Sequence, residues 1–270
     1  MSDSEKRIGL LAGAGEVPAH FVKQASQRGI RIVAVSFSDE IHTRLQPLVE
    51  KAYSIGIGKP GKIFKTFKDE KVTDLVMLGK VDKKIIFRPG FFDLRAINFF
   101  KSLISQEDKT LLLGVIEEIE KEGFNVLDQK ELLGEIFPDK GFLTKKKPST
   151  KEMEDIKFGM PIAKKLADME IGQTIVVKNK TVVAVEAIEG TDKALERGCN
   201  LSSGKCTAIK VSRTNQDYRY DVPGIGPLTM QNLINGGASV LAMEAGRVMV
   251  VDQEKVVEMA NQAKISIVCI

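Results

Sequence analysis

The chain is poor in the residues on which metal and thiol chemistry most often rest. Only two histidines occur, His20 and His42, which argues against a hydrolase built on histidine metal ligands. The three cysteines, Cys199, Cys206 and Cys269, are odd in number and lack the paired spacing of a zinc site. With no signal-peptide pattern in Met1-Ser-Asp-Ser-Glu-Lys6, they fit a reduced cytoplasmic compartment. No apolar run approaches the roughly 18 residues that a membrane span requires, so any membrane contact is expected to be peripheral. A formal charge of +4 makes no nucleic-acid footprint, although it tolerates an anionic substrate or an acidic membrane surface. The densest basic run, Lys145-Lys-Lys147, reads as a solvated linker.

What is present describes an ordinary soluble protein, 43% hydrophobic and 28% charged, whose 270 residues suit two cores. The first half alternates strand and helix. Arg7 to Gly13 reads as a buried strand, Pro18 to Arg28 as a helix closed by Gly29, and Ile30 to Phe37 as a second strand. Further strands are expected at 51–55, 73–78 and 125–127, and a helix over 108–122. This βαβ succession predicts an open parallel sheet covered on both faces, a Rossmann-like N-terminal domain over 1–137. A mixed stretch of proline, glycine and charge at 138–150 reads as a linker to a distinct α/β domain over 151–270.

Several turns carry possible chemistry. Gly13-Ala-Gly15-Glu-Val-Pro18 approaches the dinucleotide fingerprint G-x-G-x-x-G, but Pro18 replaces the glycine that lets helix and strand pack closely. Its amides either face an anion or simply make a turn. Gly56-Ile-Gly-Lys-Pro-Gly-Lys-Ile63 resembles a P-loop, yet Ile63 stands where a magnesium-binding hydroxyl belongs. A glycine- and proline-marked helix entry is the better account. Gly79 and Lys80 end a predicted strand, where open α/β sheets bind ligands, so Lys80 either meets a phosphate or is a surface-loop lysine. Phe91-Phe92 and Phe99-Phe100 read as core residues or as the lining of an apolar groove.

The second half holds the less ordinary residues. A hairpin is expected over 173–177 and 181–187, leading into Glu186-Ala-Ile-Glu189-Gly190-Thr191-Asp192. Three carboxylates at a strand-to-helix turn either hold a hard cation through oxygen ligands, or cap a helix while Glu186 pairs with an arginine. Further on, Asp217, Arg219 and Asp221 alternate, so an extended backbone would project them on one face. They make either a site or a surface charge ladder. Glu244, late in another apolar strand, needs a positive partner such as Arg247.

Taken together, these segments resemble the UDP-2,3-diacylglucosamine pyrophosphatase family of lipid A biosynthesis, of the type unrelated to calcineurin-like phosphoesterases. The resemblance is carried by Gly13 to Pro18, Gly79-Lys80, Gly172-Gln173, Glu186 to Asp192, Gln216 to Pro223, Gly226 to Thr229 and Glu244-Ala-Gly246. The chain departs from the pattern at Ser105-Gln-Glu-Asp108. The resemblance implies hydrolysis of UDP-2,3-diacylglucosamine to UMP and 2,3-diacylglucosamine 1-phosphate. It further implies a divalent cation, usually Mg2+, water attack at the sugar-side phosphorus and a substrate cleft between two domains. By motif match Asp221 leads as metal ligand or water-activating group, with Asp217 and Arg219 beside it. Asp192 and Glu189 are further metal ligands. Gly13, Ala14, Gly15, Gly79, Lys80, Glu189, Gly190, Thr191, Asp192 and Lys210 are expected on the substrate. Peripheral contact with the inner membrane surface follows from a lipid substrate, and a homo-oligomer is compatible. Two other readings stay open: a nicotinamide-dependent oxidoreductase using the glycine turn and Asp39, and a non-catalytic nucleotide-sugar or lipid sensor.

Overall fold

The computed structural model describes residues 7–81 and 108–270 and divides into two compact units. The first runs to Leu132 and includes Tyr218–Tyr220; the second comprises Leu133–Asp217 and Asp221–Ile270. Both phenylalanine pairs, and Ser105 to Glu107, lie outside the described residues.

The first unit proceeds β1 (Arg7–Ala12), α1 (Val17–Gln27), β2 (Arg31–Ser36), α2 (Asp39–Leu45), β3 (Lys51–Ser54), α3 (Pro60–Asp69) and β4 (Asp74–Leu78). After the gap come α4 (Asp108–Lys121), β5 (Asn125–Val126) and α5 (Gln129–Leu132). Its sheet has the order β3-β2-β1-β4-β5, with every neighbouring pair parallel. Such a sheet is covered on both faces, which is why β1 and β2 are continuous apolar runs rather than alternating ones. On one face Leu11, Val33, Val35 and Leu75 pack with Phe64 and Phe67 of α3 and Ile116 and Ile119 of α4. The order reverses beside β1, the position in open α/β sheets at which ligands commonly bind. The P-loop lookalike is a helix entry: Pro60 opens α3, and Ile63 is buried in the core.

The second unit is built on β6 (Gly141–Phe142), α6 (Thr150–Asp168), β7 (Thr174–Lys178), β8 (Thr181–Val185), α7 (Thr191–Leu201) and β9 (Thr207–Lys210). It continues with β10 (Gly224–Ile225), α8 (Pro227–Asn235), β11 (Val240–Met243), β12 (Met249–Val250), α9 (Gln253–Gln262) and β13 (Ser266–Cys269). A mixed sheet has the order β6-β13-β11-β9-β7-β8. Alternate residues divide between its faces. Ile175, Val177, Ile209, Val240, Ala242 and Val268 meet α6, while Val176, Ala208, Leu241, Met243 and Ile267 meet the other helices. Two glycines let helices sit close: a Cβ on Gly159 would come within 2.3 Å of Ile209, and one on Gly198 within 2.5 Å of Val176. Ser149 and Glu152 form the capping box that starts α6.

The 138–150 stretch, expected as a linker, contains β6, which pairs antiparallel with β13. The Thr144 hydroxyl also accepts from the Ile267 amide at 2.8 Å, so this stretch is built into the second unit's sheet. All three cysteines are free and buried.

Candidate functional site

At the carboxyl ends of adjacent strands β1 and β4, the structure brings Gly13, Ala14, Gly79 and Lys80 together. Gly13 N–H donates to Leu78 O, and Ala14 and Lys80 exchange both backbone hydrogen bonds at 2.8 Å. Gly79 has φ +90°, and a Cβ there would lie 2.7 Å from Gly13 O, so only glycine fits. The two motifs are therefore one construction. It corrects part of the sequence expectation: the Gly13 and Ala14 amides are spent on this closure and are not available to an anion. Gly15 and the exposed Lys80 remain on the surface. Arg44 grips the far side of the turn through Glu16, with Nη1 to Oε1 at 2.9 Å. Asp39 accepts from the Ser54 hydroxyl at 2.7 Å.

In the second unit, the turn from β8 to α7 carries Glu186 to Asp192. Gly172 lies against its start, and a Cβ there would be 2.0 Å from Glu186 O. Lys210, at the end of β9, reaches into the turn from inside. Its ammonium donates to the Thr174 hydroxyl at 3.0 Å and the Thr191 hydroxyl at 2.8 Å, and lies 3.8 Å from Glu186 Oε2. Thr191 in turn donates to Glu186 Oε1 at 2.7 Å. Lys210 is only 4% exposed. It was expected on the substrate; it is instead the buried cation that ties this turn together. The cation meeting Glu186 is thus a lysine rather than an arginine. Gly190 precedes α7 with φ +81° and offers no side-chain cap, while Asp192 stands in its first turn, accepting from Thr229 at 3.4 Å.

Glu189 is drawn to the helix surface by Arg197, whose Nη2 lies 2.5 Å from Oε1 and also donates to Val185 O at 2.9 Å. This hydrogen bond holds the Glu189 carboxyl below its ordinary range. Ile188 at the tip of the turn and Leu228 at the start of α8 are both exposed.

The Asp217–Arg219–Asp221 segment is not an extended ladder. Tyr218 to Tyr220 belong to the first unit, where Gln129 N–H donates to Tyr218 O at 2.9 Å and Arg219 pairs with Glu120 at 3.0 Å. Asp221 turns back with φ +45°, a left-handed conformation that aspartate tolerates better than most residues. The extended backbone that a shared face would need is therefore absent. Asp221 is half-exposed and accepts from Arg213 Nη2 at 2.6 Å.

Below that loop lies a connected polar network. Lys164 donates to both oxygens of Glu244, at 2.7 and 2.9 Å, and to Ser212 O. Glu244 accepts from the Ser212 amide and hydroxyl, and Arg247 pairs with it at 3.2 Å. Burial opposes the charged form of Glu244, but Lys164 and the Ser212 amide hold its carboxyl below the ordinary value of 4.5. Arg247 was foreseen as its partner; Lys164, 80 residues away in sequence, was not.

Three carboxylates were expected to share one metal ion. Among the described residues no three Asp, Glu, His or Cys side chains gather for that purpose, and Glu189 and Asp221 are each engaged by an arginine. An all-protein cage built from Glu189, Asp192 and Asp221 does not fit this arrangement. Magnesium held by one or two carboxylates and completed by phosphate oxygens needs no such cage.

Residues 7–136 match the LpxI N-terminal domain model, and residues 139–268 match the LpxI C-terminal domain model. The UDP-2,3-diacylglucosamine pyrophosphatase LpxI of Caulobacter vibrioides is 32% identical over 274 residues, covering 95% of this chain and 94% of that protein. Among solved structures, the biotin carboxylase domain of Hydrogenobacter thermophilus 2-oxoglutarate carboxylase is 14% identical with a TM-score of 0.27, over 73% of this chain and 41% of that one. The biotin carboxylase subunit of pyruvate carboxylase is 12% identical, also at 0.27, over 66% and 35%. The chain spans less than half of either, and likenesses at that level carry no argument. Two domain models that follow one another along the sequence, and a relative alike over nearly its whole length, lead to one conclusion: the chain belongs to the LpxI family.

Proposed function

We propose that the chain is a hydrolase of lipid A biosynthesis that splits UDP-2,3-diacylglucosamine into UMP and 2,3-diacylglucosamine 1-phosphate. The observation that carries this reading is the 32% identity, over 95% of the chain, to a protein named for that pyrophosphatase activity. Cleaving a diphosphate requires that charge on the phosphoryl oxygens be neutralised, a water positioned and the leaving group anchored. In this reading the half-exposed Asp221 carboxylate orients the attacking water and takes its proton. Asp192 and the capless start of α7 face the diphosphate, and Asp217 supports them. Lys80 and Arg219 are the phosphate contacts, and Gly15 borders the nucleotide end. Lys210 serves indirectly, by fixing Thr191 and Glu186.

The reading keeps a divalent cation, magnesium first, with Asp221 or Asp192 as carboxylate ligands and the substrate diphosphate supplying the remaining oxygens. Bound there, it would neutralise phosphoryl charge. The bond formed joins the water oxygen to the sugar-side phosphorus, and the bond broken frees UMP. The Rossmann-like character of the first unit rests on its 3-2-1-4-5 strand order. No helix among the described residues is long and apolar enough to cross a membrane, and a lipid substrate brings the protein to a membrane surface peripherally.

The test is UMP release from UDP-2,3-diacylglucosamine in magnesium and after EDTA, run in heavy-oxygen water. The expected result is release in magnesium only, with the label in the lipid phosphate. No UMP in either buffer overturns the reading; full activity in EDTA removes the metal, and label in UMP removes the sugar-side attack.

A further inference from the structure

Arg213 lies outside every motif singled out in the sequence, yet the second unit spends much of its polar chemistry on placing it. Its backbone is fixed from several sides. Arg247 Nη2 donates to Arg213 O at 2.6 Å and Thr214 O at 3.0 Å, and Arg247 Nε donates to the Ser212 hydroxyl at 2.6 Å. Asp168, at the end of α6, accepts from the Thr214 amide at 2.6 Å and the Thr214 hydroxyl at 2.8 Å. Glu244 and Lys164 secure Ser212. From this platform the largely buried Arg213 side chain, 16% exposed, extends to Asp221, which is 52% exposed. Its Nε has no hydrogen-bond partner, and the Glu170 carboxylate lies 3.8 Å away. Gln216 steadies the same loop by donating to Asp217 O at 3.1 Å and to Asp221 O at 3.3 Å.

A surface ion pair between two long, mobile side chains contributes little. This pair is different: one partner is short, with a left-handed backbone, and the other is immobilised by burial and by a secured main chain. That asymmetry suits an anchor for a carboxylate whose direction matters. We propose that Arg213 is a positioning residue for Asp221, holding the carboxylate through one oxygen and leaving the other directed to the substrate side. The inference rests on the reading of Asp221 as the water-orienting group. Arg213 in this account touches no reacting atom.

The experiment compares kcat, KM and thermal midpoint for Arg213→Ala, Arg213→Lys, Asp221→Ala and the double variant Arg213→Ala with Asp221→Ala, using UMP release. Misplacing a catalytic group by about an ångström costs on the order of a hundredfold in rate. Arg213→Ala should therefore lose that much in kcat with KM within about threefold, and free guanidinium should restore part of it. Arg213→Lys keeps the charge but not the planar fork, and should fall between wild type and Arg213→Ala. The double variant should be no slower than Asp221→Ala alone, since groups that act as a unit are not additive. If Arg213→Ala raises KM and leaves kcat intact, Arg213 is a substrate contact and the proposal is wrong. If Asp221→Ala is inactive while Arg213→Ala and Arg213→Lys both keep wild-type kcat, the proposal fails and the Asp221 reading stands. If Asp221→Ala is fully active, the Asp221 reading itself has failed. Should Arg213→Ala not fold, Arg213→Lys decides on the same terms.

Discussion

Replacing Lys210 by methionine tests whether the β8–α7 turn is held from within. Methionine keeps an unbranched, flexible stem of similar size, so the apolar packing around the end of β9 is largely preserved. What is lost is the ammonium, with its bonds to Thr174 at 3.0 Å and Thr191 at 2.8 Å and its proximity to Glu186 at 3.8 Å. Hydrogen bonds from a charged donor contribute about 1.5–3 kcal/mol each, net of solvation. Thr174 is buried, and the Lys210 and Glu186 side chains are 5% and 14% exposed, so water replaces little of what is removed. Because the three contacts share one cation they do not add, and a loss of about 3–4 kcal/mol is expected. At about 3 °C per kcal/mol, the second unit's melting transition should fall by roughly 10 °C. Far-UV circular dichroism on wild type, Lys210→Met and Thr191→Val reads this directly, with Thr191→Val expected to lose a comparable amount because it removes both the acceptor of Lys210 and the donor to Glu186. A Lys210→Met midpoint within about 3 °C of wild type would show that Lys210 does not organise the turn.

Other consequences can be checked alongside. Gly172→Ala would put a methyl 2.0 Å from Glu186 O, and such overpacking should destabilise the second unit by about 1–3 kcal/mol and reduce turnover; an unchanged melt and rate would remove Gly172 from the site's support. The Glu244 carboxyl is held below its ordinary value of 4.5, so the stability it contributes is complete above that value and is lost as pH falls through the lower, folded one. Acid titration of Glu244→Gln against wild type should show a stability gap that narrows as pH drops; a gap that widens would contradict the assignment. Lys59→Ala and Lys62→Ala should leave UMP release nearly intact, and a collapse of activity would revive the P-loop reading.

The elements most legible in the sequence are those whose cause is local. The buried strand over Arg7 to Ala12, the glycine turn after it and the helix expected over 108–122 each depend on neighbours within a few positions. The functional turns are legible as composition but not as geometry. Alternation at Asp217, Arg219 and Asp221 predicts a shared face only if the backbone is extended, and the left-handed turn at Asp221 breaks that condition. Lys210 reads as a phosphate contact because a strand-end lysine usually reaches solvent, whereas here Thr174 and Thr191, far apart in the chain, close over it. Arg197, Arg213 and Lys164 escaped notice as partners. A pairing such as Lys164 with Glu244, 80 positions apart, leaves no periodic trace; the available hint for Arg213 was an arginine just after a strand end that leads into an acidic loop.

The central claim is that acidic turns of the second unit carry out the hydrolysis of a lipid-linked nucleoside diphosphate. Its most direct test is Asp221→Ala, assayed for UMP release and for retention of UDP-2,3-diacylglucosamine on the purified protein. The account predicts a folded protein that still binds the substrate and releases no UMP above the uncatalysed rate; a variant that turns over at near wild-type speed would contradict it.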